Sequence, residues 1–374
     1  KLKVNVPGLE AYVGIVTSVV QSKKGDLFVS SGSFGVILKV EFNKRTGASL
    51  VTLVAGTGTD GKGGDDILAT GSALKYPIGL SLIEDDDGEV TAIIFADSNN
   101  HRIRKVDMKS QKITTIVGTG SGGETGDGGP AKDATLYRPY HAYHDKVTGD
   151  IFIADAGNNK IRRVFAGNRT ITTVVGKKCT DDEGLGDGGK AVMACLNYPY
   201  FFTMNTAGEW FITDWGNNRI RKVLHNGTID TVIGGGTETG DALAKNVQLK
   251  SPRSIDFTPS GEMLVADFDN EVIRAMDSNG FARVIAGGGN ELPKTPIPAK
   301  TGVFSPLSVV YARDGSDVLF IGDMSGNIYK LYVGCYGIES DNCAVCSGHG
   351  TCITTDQCKC DSGGTRFTSN HPGV

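Results

Sequence analysis

Short apolar runs alternate along this chain with turns rich in Gly, Asp and Asn, and nothing between them has helical spacing. Residues 78–83 form a first run. A second ends on Asp97, a third carries Ile103-Arg104-Lys105-Val106, and a fourth, residues 113–118, is rich in β-branched side chains. The same quartet returns, with its fourth run at 171–176, 229–234 and 282–287. Each run has the length of a β-strand, and each first run follows a Pro: Pro77, Pro139, Pro199, Pro252 and Pro306. Gly-bearing turns at 87–88, 148–149, 207–208, 260–261 and 314–315 separate the first run from the second.

The units share a motif: an apolar run, Asp, two variable residues, Asn, two more, then Ile-Arg. Its aspartates are Asp97, Asp155, Asp214, Asp267 and Asp323, and its asparagines Asn100, Asn158, Asn217 and Asn270. The aspartates stand 58, 59, 53 and 56 residues apart, a period that signals a repeat architecture. Four strands per repeat select a β-propeller, an all-β fold. Counted from residue 10 there are six units, with Ser30 standing in for the Asp of the first. The sixth, 305–333, lacks a fourth strand before Cys335. Leu2, Val4 and Val6 alternate with polar residues and predict an orphan strand. That strand is expected to complete the sixth unit and close the ring, removing both exposed edges. The expected domains are therefore a propeller over 1–334 and a cysteine-rich module over 335–374.

A polar motif repeated in every blade reads as architecture, since a reaction does not need the same residue six times over. The Asp is expected to cap backbone N–H groups of its own turn, with the Asn doing the same from the other side. The Arg after Ile is expected to pair with an Asp of a neighbouring blade. Gly126-Asp127-Gly128-Gly129 and Gly186-Asp187-Gly188-Gly189, with a looser version at 61–64, read as links between units.

Composition narrows the function classes. The 374 residues carry a net charge of −4, so no basic field is present to hold a phosphate backbone. No apolar run reaches the length of a bilayer span, and the chain opens on Lys1-Leu2-Lys3 as a trimmed N-terminus would. Eight cysteines are present, six of them within the 26 residues from Cys335 to Cys360. Their spacing, C-x7-C-x2-C-x5-C-x5-C-x-C, favours disulfides over zinc, because only Cys343 and Cys346 have the spacing of a zinc pair. Cys179 and Cys195 bracket one link and are expected to bridge it. Sequons at Asn168 and Asn226 fall at one repeat position, the turn after the Ile-Arg-x-Val strand, and support an oxidising, secretory compartment with N-linked glycan.

The stretches Ala96-Asp97-Ser98-Asn99-Asn100-His101-Arg102-Ile103-Arg104-Lys105-Val106, Thr115-Ile116-Val117-Gly118-Thr119-Gly120 and Gly126-Asp127-Gly128-Gly129-Pro130-Ala131 resemble NHL repeats. The resemblance runs from about Tyr12 to Val333, strongest in units two to four, and implies a six-bladed NHL-like propeller. Cys335 to Cys360, with Cys346-Ser347-Gly348-His349-Gly350-Thr351-Cys352 and Cys358-Lys359-Cys360, resembles an EGF-like module. That likeness implies the pairs Cys335–Cys352 and Cys346–Cys358. It leaves Cys360 without its usual later partner and Cys343 as an extra. The module is then truncated, or Cys343 pairs with Cys360, or another chain supplies the partner.

Three functional readings follow. The first is a non-enzymatic extracellular protein for interaction, adhesion or structure, with no cofactor and no metal, whose partners are other extracellular proteins or copies of itself. One version is a subunit of an extracellular filament or flagellar-hair-like fibre. Its interaction candidates are aromatics near the blade starts: Tyr140, Tyr143, Tyr198, Tyr200, Phe201 and Trp215. The second is a metal-dependent hydrolase or lyase using the central channel, as the peptide-amidating lyase of the wider NHL group uses histidines from several blades. Of the histidines, His101 lies at the repeat's own position, His225 beside a sequon, and His141 and His144 near a blade start, so three ligands from different blades are not evident. The third is a receptor ectodomain. The acidic run 84–89 reads as a solvated hairpin turn.

Overall fold

The computed structural model describes residues 6–7, 13–42, 49–179, 184–289, 304–316, 318–332, 350–354 and 357–360. They form six antiparallel sheets. Blade one holds β1 (Val6–Pro7) and β2–β5 (Val16–Gln21, Leu27–Ser31, Val36–Phe42, Ser49–Ala55). Blade two holds β6 (Ile67–Leu68) and β7–β10 (Pro77–Glu84, Val90–Asp97, Arg102–Asp107, Lys112–Val117). Blade three is β11–β14 (His141–His144, Ile151–Asp155, Lys160–Val164, Ile171–Val175) and blade four β15–β18 (Pro199–Met204, Trp210–Asp214, Arg219–Val223, Ile229–Ile233). Blade five adds β19 (Ala242–Leu243) to β20–β23 (Pro252–Phe257, Met263–Asp267, Val272–Met276, Phe281–Gly287). Blade six shows three strands among the described residues, β24–β26 (Pro306–Tyr311, Val318–Asp323, Ile328–Tyr332). A separate hairpin pairs β27 (Gly350–Thr354) with β28 (Gln357–Cys360).

The second strands are buried on both faces, as their unbroken apolar runs require: β8, β12 and β16 carry Ile93, Ile153 and Ile212 with no exposure. Six apolar clusters fill the six blade-to-blade interfaces. Phe28 and Ile37 of blade one meet Leu80 and Phe95 of blade two; round the ring, Val16 and Val19 meet Val310 and Phe320 of blade six. Each fully buried Leu, Val or Phe contributes about 1.5–3 kcal/mol.

The N-terminal strand is not where the alternation of Leu2, Val4 and Val6 places it. Val6 pairs with Val51 and Pro7 with Leu50, on the outer edge of blade one. The links explain why. Ile67–Leu68 and Ala242–Leu243 pair with the outermost strands of blades two and five, and Pro130 and Lys190 bridge to Thr170 and Thr228 in blades three and four. In blades two to five the link thus runs down the outside of the blade it enters, covering open N–H and C=O groups. The N-terminal segment is the link of blade one, and Pro7, which cannot donate to a ladder, takes the tolerated edge position. Closure comes instead from blade six packing on blade one. Val19 N–H donates to Ser308 Oγ at 3.0 Å, and Arg313 N–H to Gln21 Oε1 at 2.6 Å. Register also moves the first blade's motif residue. Val16 opposes Ser31 as Pro77 opposes Asp97, so Ser31 and not Ser30 occupies the Asp place.

Candidate functional site: an aromatic and arginine mouth

The motif aspartates do not cap their own turns in blades two to five. Each second strand ends at the Asp and continues into a single 3-10 turn, and the Asp makes no cap to that turn. One carboxylate oxygen instead accepts the N–H two residues before the blade's Pro. Lys75, Tyr137, Asn197 and Lys250 donate to Asp97, Asp155, Asp214 and Asp267, all at 2.8 Å. The other oxygen accepts from Nδ2 of Asn158, Asn217 and Asn270 at 2.8–2.9 Å, while Asn100 Nδ2 reaches both oxygens of Asp97. The same amides donate to link carbonyls, as Asn100 does to Gly61 at 2.8 Å.

The arginines also differ from expectation. Arg104, Arg162, Arg221 and Arg274, all 0 % exposed or nearly so, lie 3.6, 3.7, 3.2 and 2.8 Å from the Asp of their own blade. Three of them also bind the link carboxylates of Asp65, Asp127 and Asp187, and Arg274 binds the link carbonyls of Thr239 and Gly240. Among the described residues no arginine crosses to the repeat Asp of a neighbouring blade, because the preceding link folds over the turn and presents its own acceptors. Burial raises the pKa of all four carboxyls against the opposing pull of these hydrogen bonds, that of Asp155 to about 6. Asp323 alone behaves as the sequence suggests. It accepts from Ser325 N–H at 3.0 Å and Asn327 N–H at 2.9 Å in its own turn.

This knot aims the residues around each Pro. Tyr76, Arg138, Tyr198 and Ser251 precede the four Pro residues with φ of 55°, 48°, 48° and 49°, a left-handed backbone that bulky side chains rarely adopt. It is held from the previous blade: Arg138 N–H donates to His101 Nδ1 at 3.1 Å, and Tyr198 and Ser251 N–H to Asn159 and Asn218 Oδ1 at 2.8 Å. Such strain persists where the surroundings over-determine it, and it is concentrated at functional sites.

The result is a collar of rings about a cation at the mouth of the channel, on the face where the motif turns lie. The Arg253 guanidinium carbon stands 4.8 Å from the Tyr200 ring centre, 5.0 Å from Trp215 and 4.6 Å from Phe268. Tyr140 packs on Tyr200 at 5.0 Å, and Tyr198 meets Trp215 edge-on at 5.8 Å. Arg138 lies beside it over Tyr137, at 5.9 Å. Among the described residues neither Arg138 nor Arg253 has a carboxylate partner. Burial pushes the Tyr200 phenol up to about 12 and raises that of Tyr140, so both stay protonated donors. The mouth therefore offers ring faces, the half-buried Tyr140 phenol and two guanidinium groups that lack a carboxylate partner among the described residues.

The aromatics singled out from sequence separate. Tyr140, Tyr198, Tyr200 and Trp215 meet at the mouth. Phe201 instead stacks on His141 inside the channel at 3.9 Å, and Tyr143 packs against Phe202 between blades three and four. Arg253 and Phe268 carry a signal of their own in the sequence. Arg253 follows its Pro as Tyr140 and Tyr200 do, and Phe268 follows its Asp as Trp215 does.

Among the described residues the histidines do not share a site. His101 stacks on Tyr137 at 5.4 Å, while His144 lines a cleft between blades two and three. His141 is fully buried; its Nε2 faces the Leu80 carbonyl and its Nδ1 accepts from Phe202 N–H, both at 3.4 Å. Burial lowers its pKa to about 4, keeping that nitrogen free to accept. It belongs to a series of inter-blade bonds in which Ser18, Ser254 and Ser308 accept from Leu80, Val309 and Val19. Among the described residues no three of His, Cys, Asp and Glu converge.

Cys179 and Cys195 form a disulfide across their link. Asn168 and Asn226 sit in exposed turns between third and fourth strands, where Thr170 and Thr228 hold their side chains. Cys335, Cys343 and Cys346, and the side chains of Cys352, Cys358 and Cys360, lie outside the described residues.

Comparison with known proteins bears on the fold. Residues 138–239 match the family described as Teneurin NHL domain. Mouse Teneurin-3 is 28% identical over 211 residues, which are 49% of this chain and 8% of that protein. The chain thus spans a small fraction of the teneurins it matches. The Arabidopsis thaliana protein SUPPRESSOR OF QUENCHING 1, chloroplastic, is 28% identical over 276 residues, 68% of this chain and 25% of that protein. An auxiliary nutrient binding protein from Bacteroides thetaiotaomicron superposes with a TM-score of 0.59 at 14% identity, covering 88% of this chain and 74% of its own. The six sheets make this chain an all-β six-bladed propeller, and over residues 138–239 it is similar to the Teneurin NHL domain.

Proposed function

We propose that this propeller is an extracellular, non-enzymatic protein–protein interaction module that docks partners at the mouth. The observation that carries the proposal is the collar of Tyr140, Tyr198, Tyr200, Trp215 and Phe268 around Arg253. Tyr, Trp and Arg dominate the energetics of protein interfaces, and here they stand pre-ordered on a rigid disc. The match to a Teneurin NHL domain supports an interaction role, and the disulfide and the two exposed sequons support a secretory route with N-linked glycan at Asn168 and Asn226. Residues 335–374 are proposed as an EGF-like module, and a filament subunit is the version in which its cysteines join chains.

The test is binding of a multivalent secreted chain to cell surfaces or to arrays of extracellular proteins. The Tyr198→Ala/Trp215→Ala/Arg253→Ala variant is expected to lose at least tenfold in affinity, while Lys222→Ala, at a residue paired with Glu209 outside the collar, binds normally. Equal binding by all three proteins would remove the mouth as the docking face.

A further inference from the structure

Between blades two and three lies a cleft of about 790 Å³ that the mouth does not use. Its floor is apolar, with Ile83, Ile94, Ile116 and Ile151, and its rim carries Lys105, Lys132 and Arg169 against the single carboxylate of Asp133. None of the three cations has a carboxylate partner among the described residues. The cleft opens where β12 begins, at Ile151, whereas the mouth lies where β12 ends, at Asp155.

The next interface round the ring shows what fills such a space. Register equates Ser81 and Ile94 of blade two with Tyr143 and Phe152 of blade three. It equates Ala142 and Ile151 of blade three with Phe202 and Trp210 of blade four. Between blades three and four those four aromatics pack together, with Phe152 stacked on Phe202 at 4.7 Å and edge-on to Trp210 at 4.9 Å. The rim differs as well. Arg163, the counterpart of Lys105, lies over Phe152 and pairs with Asp150, and Lys132 and Asp133 correspond to Val192 and Met193. Four small or aliphatic residues thus leave a hollow at one interface, and the cations around it are left unengaged.

We propose that this cleft is a binding site for an amphipathic monoanion, a medium- or long-chain carboxylate whose chain lies on the isoleucines and whose head meets Lys105, Lys132 and Arg169. The volume suits a small-molecule ligand, and such sites combine an apolar lining with a few placed polar groups. Buried methylenes supply the affinity, and the cations choose the sign of the head.

Calorimetric titration of the full chain with dodecanoate, below its micelle concentration, tests this. One saturable site is expected, with dodecyltrimethylammonium binding at least tenfold more weakly. Ile151→Trp, which installs the residue of the neighbouring interface, is expected to abolish binding. Lys105→Glu/Lys132→Glu, a change at the rim, is expected to keep the wild-type Tm, to weaken dodecanoate at least tenfold and to improve the cationic amphiphile. Anionic vesicles distinguish a free acid from a lipid surface. Retention on vesicles without binding of dodecanoate overturns the site, as does binding indifferent to head charge or to both variants.

Discussion

Blades two to five and blade one solve one problem with opposite chemistry. In the middle blades the turn after the second strand is tied down by a buried Asp, Asn and Arg. In blade one the same three places hold Ser31, Phe34 and Leu38. In blade six a shorter turn puts Tyr329 opposite Ile321 as Arg221 stands opposite Ile212, and its phenol donates to Asp323 at 3.2 Å. Leu38 is 0 % exposed, and Phe34 packs on the cluster shared with blade six. Where the link brings carbonyls and carboxylates over the turn, a buried guanidinium has partners enough to offset its desolvation. Where the neighbouring segment offers apolar side chains, Leu and Phe serve. The difference shows that the polar motif is not a requirement of the blade.

The sharpest way to break that comparison is in blade four. Arg221→Leu strips Asp214 of its cation and is expected to cost about 3–5 kcal/mol in denaturant unfolding. Asp214→Ser/Asn217→Phe/Arg221→Leu, which copies blade one, is expected to cost less than Arg221→Leu alone, because no unpaired buried charge remains. A triple variant worse than the single one would show that the polar knot is indispensable. Next in size is the disulfide of the blade-four link. Cys179→Ala/Cys195→Ala frees a loop of sequence separation 16 and is expected to lower stability by about 3 kcal/mol, with no equivalent bridge among the described residues of the other links.

A smaller effect separates the charged blades by pH. Asp155 has its carboxyl at about 6 when folded against 3.8 when free, because burial outweighs a guanidinium 3.7 Å away. Between those values the folded chain holds a proton that the unfolded chain has released. Stability from this group therefore rises as pH falls through about 6 and levels off below 3.8. Wild type relative to Asp155→Asn is expected to gain about 1 kcal/mol per pH unit between pH 6 and 4. His141 runs the other way, since its folded pKa of about 4 lies below the free value of 6.5, so its contribution is lost as pH falls below 6.5. The Asp155→Asn comparison cancels that slope. Smallest is Ser308→Ala at the closing interface. It orphans the N–H of Val19 and is expected to cost about 1–2 kcal/mol, read as a fall in Tm.

Much of this was legible. Period, strand number, blade count and the Cys179–Cys195 bridge follow from spacing, because a propeller strand announces itself by length and by the Gly turn after it. The partners of Asp97 and its counterparts were not legible. An Asp beside a turn is chemically able to cap that turn, and only the position of Lys75 or Tyr137 above it shows that another N–H wins. The mouth was half visible. Tyr140, Tyr198, Tyr200 and Trp215 stood out as aromatics, while Arg253 did not, since its recurrence at the place after Pro counts only once the inner strands are seen to face one another.

The sequence by itself determined the repeat, the all-β class, the number of blades and the residues to be buried, since those rest on local spacing and hydrophobicity. Tertiary structure decided which blade Val6 and Pro7 join, which donor each Asp receives, which aromatics meet around Arg253 and which interface stays hollow. Those outcomes depend on what the neighbouring blade and link place within a few ångströms, and residues some sixty positions away in the chain supply it.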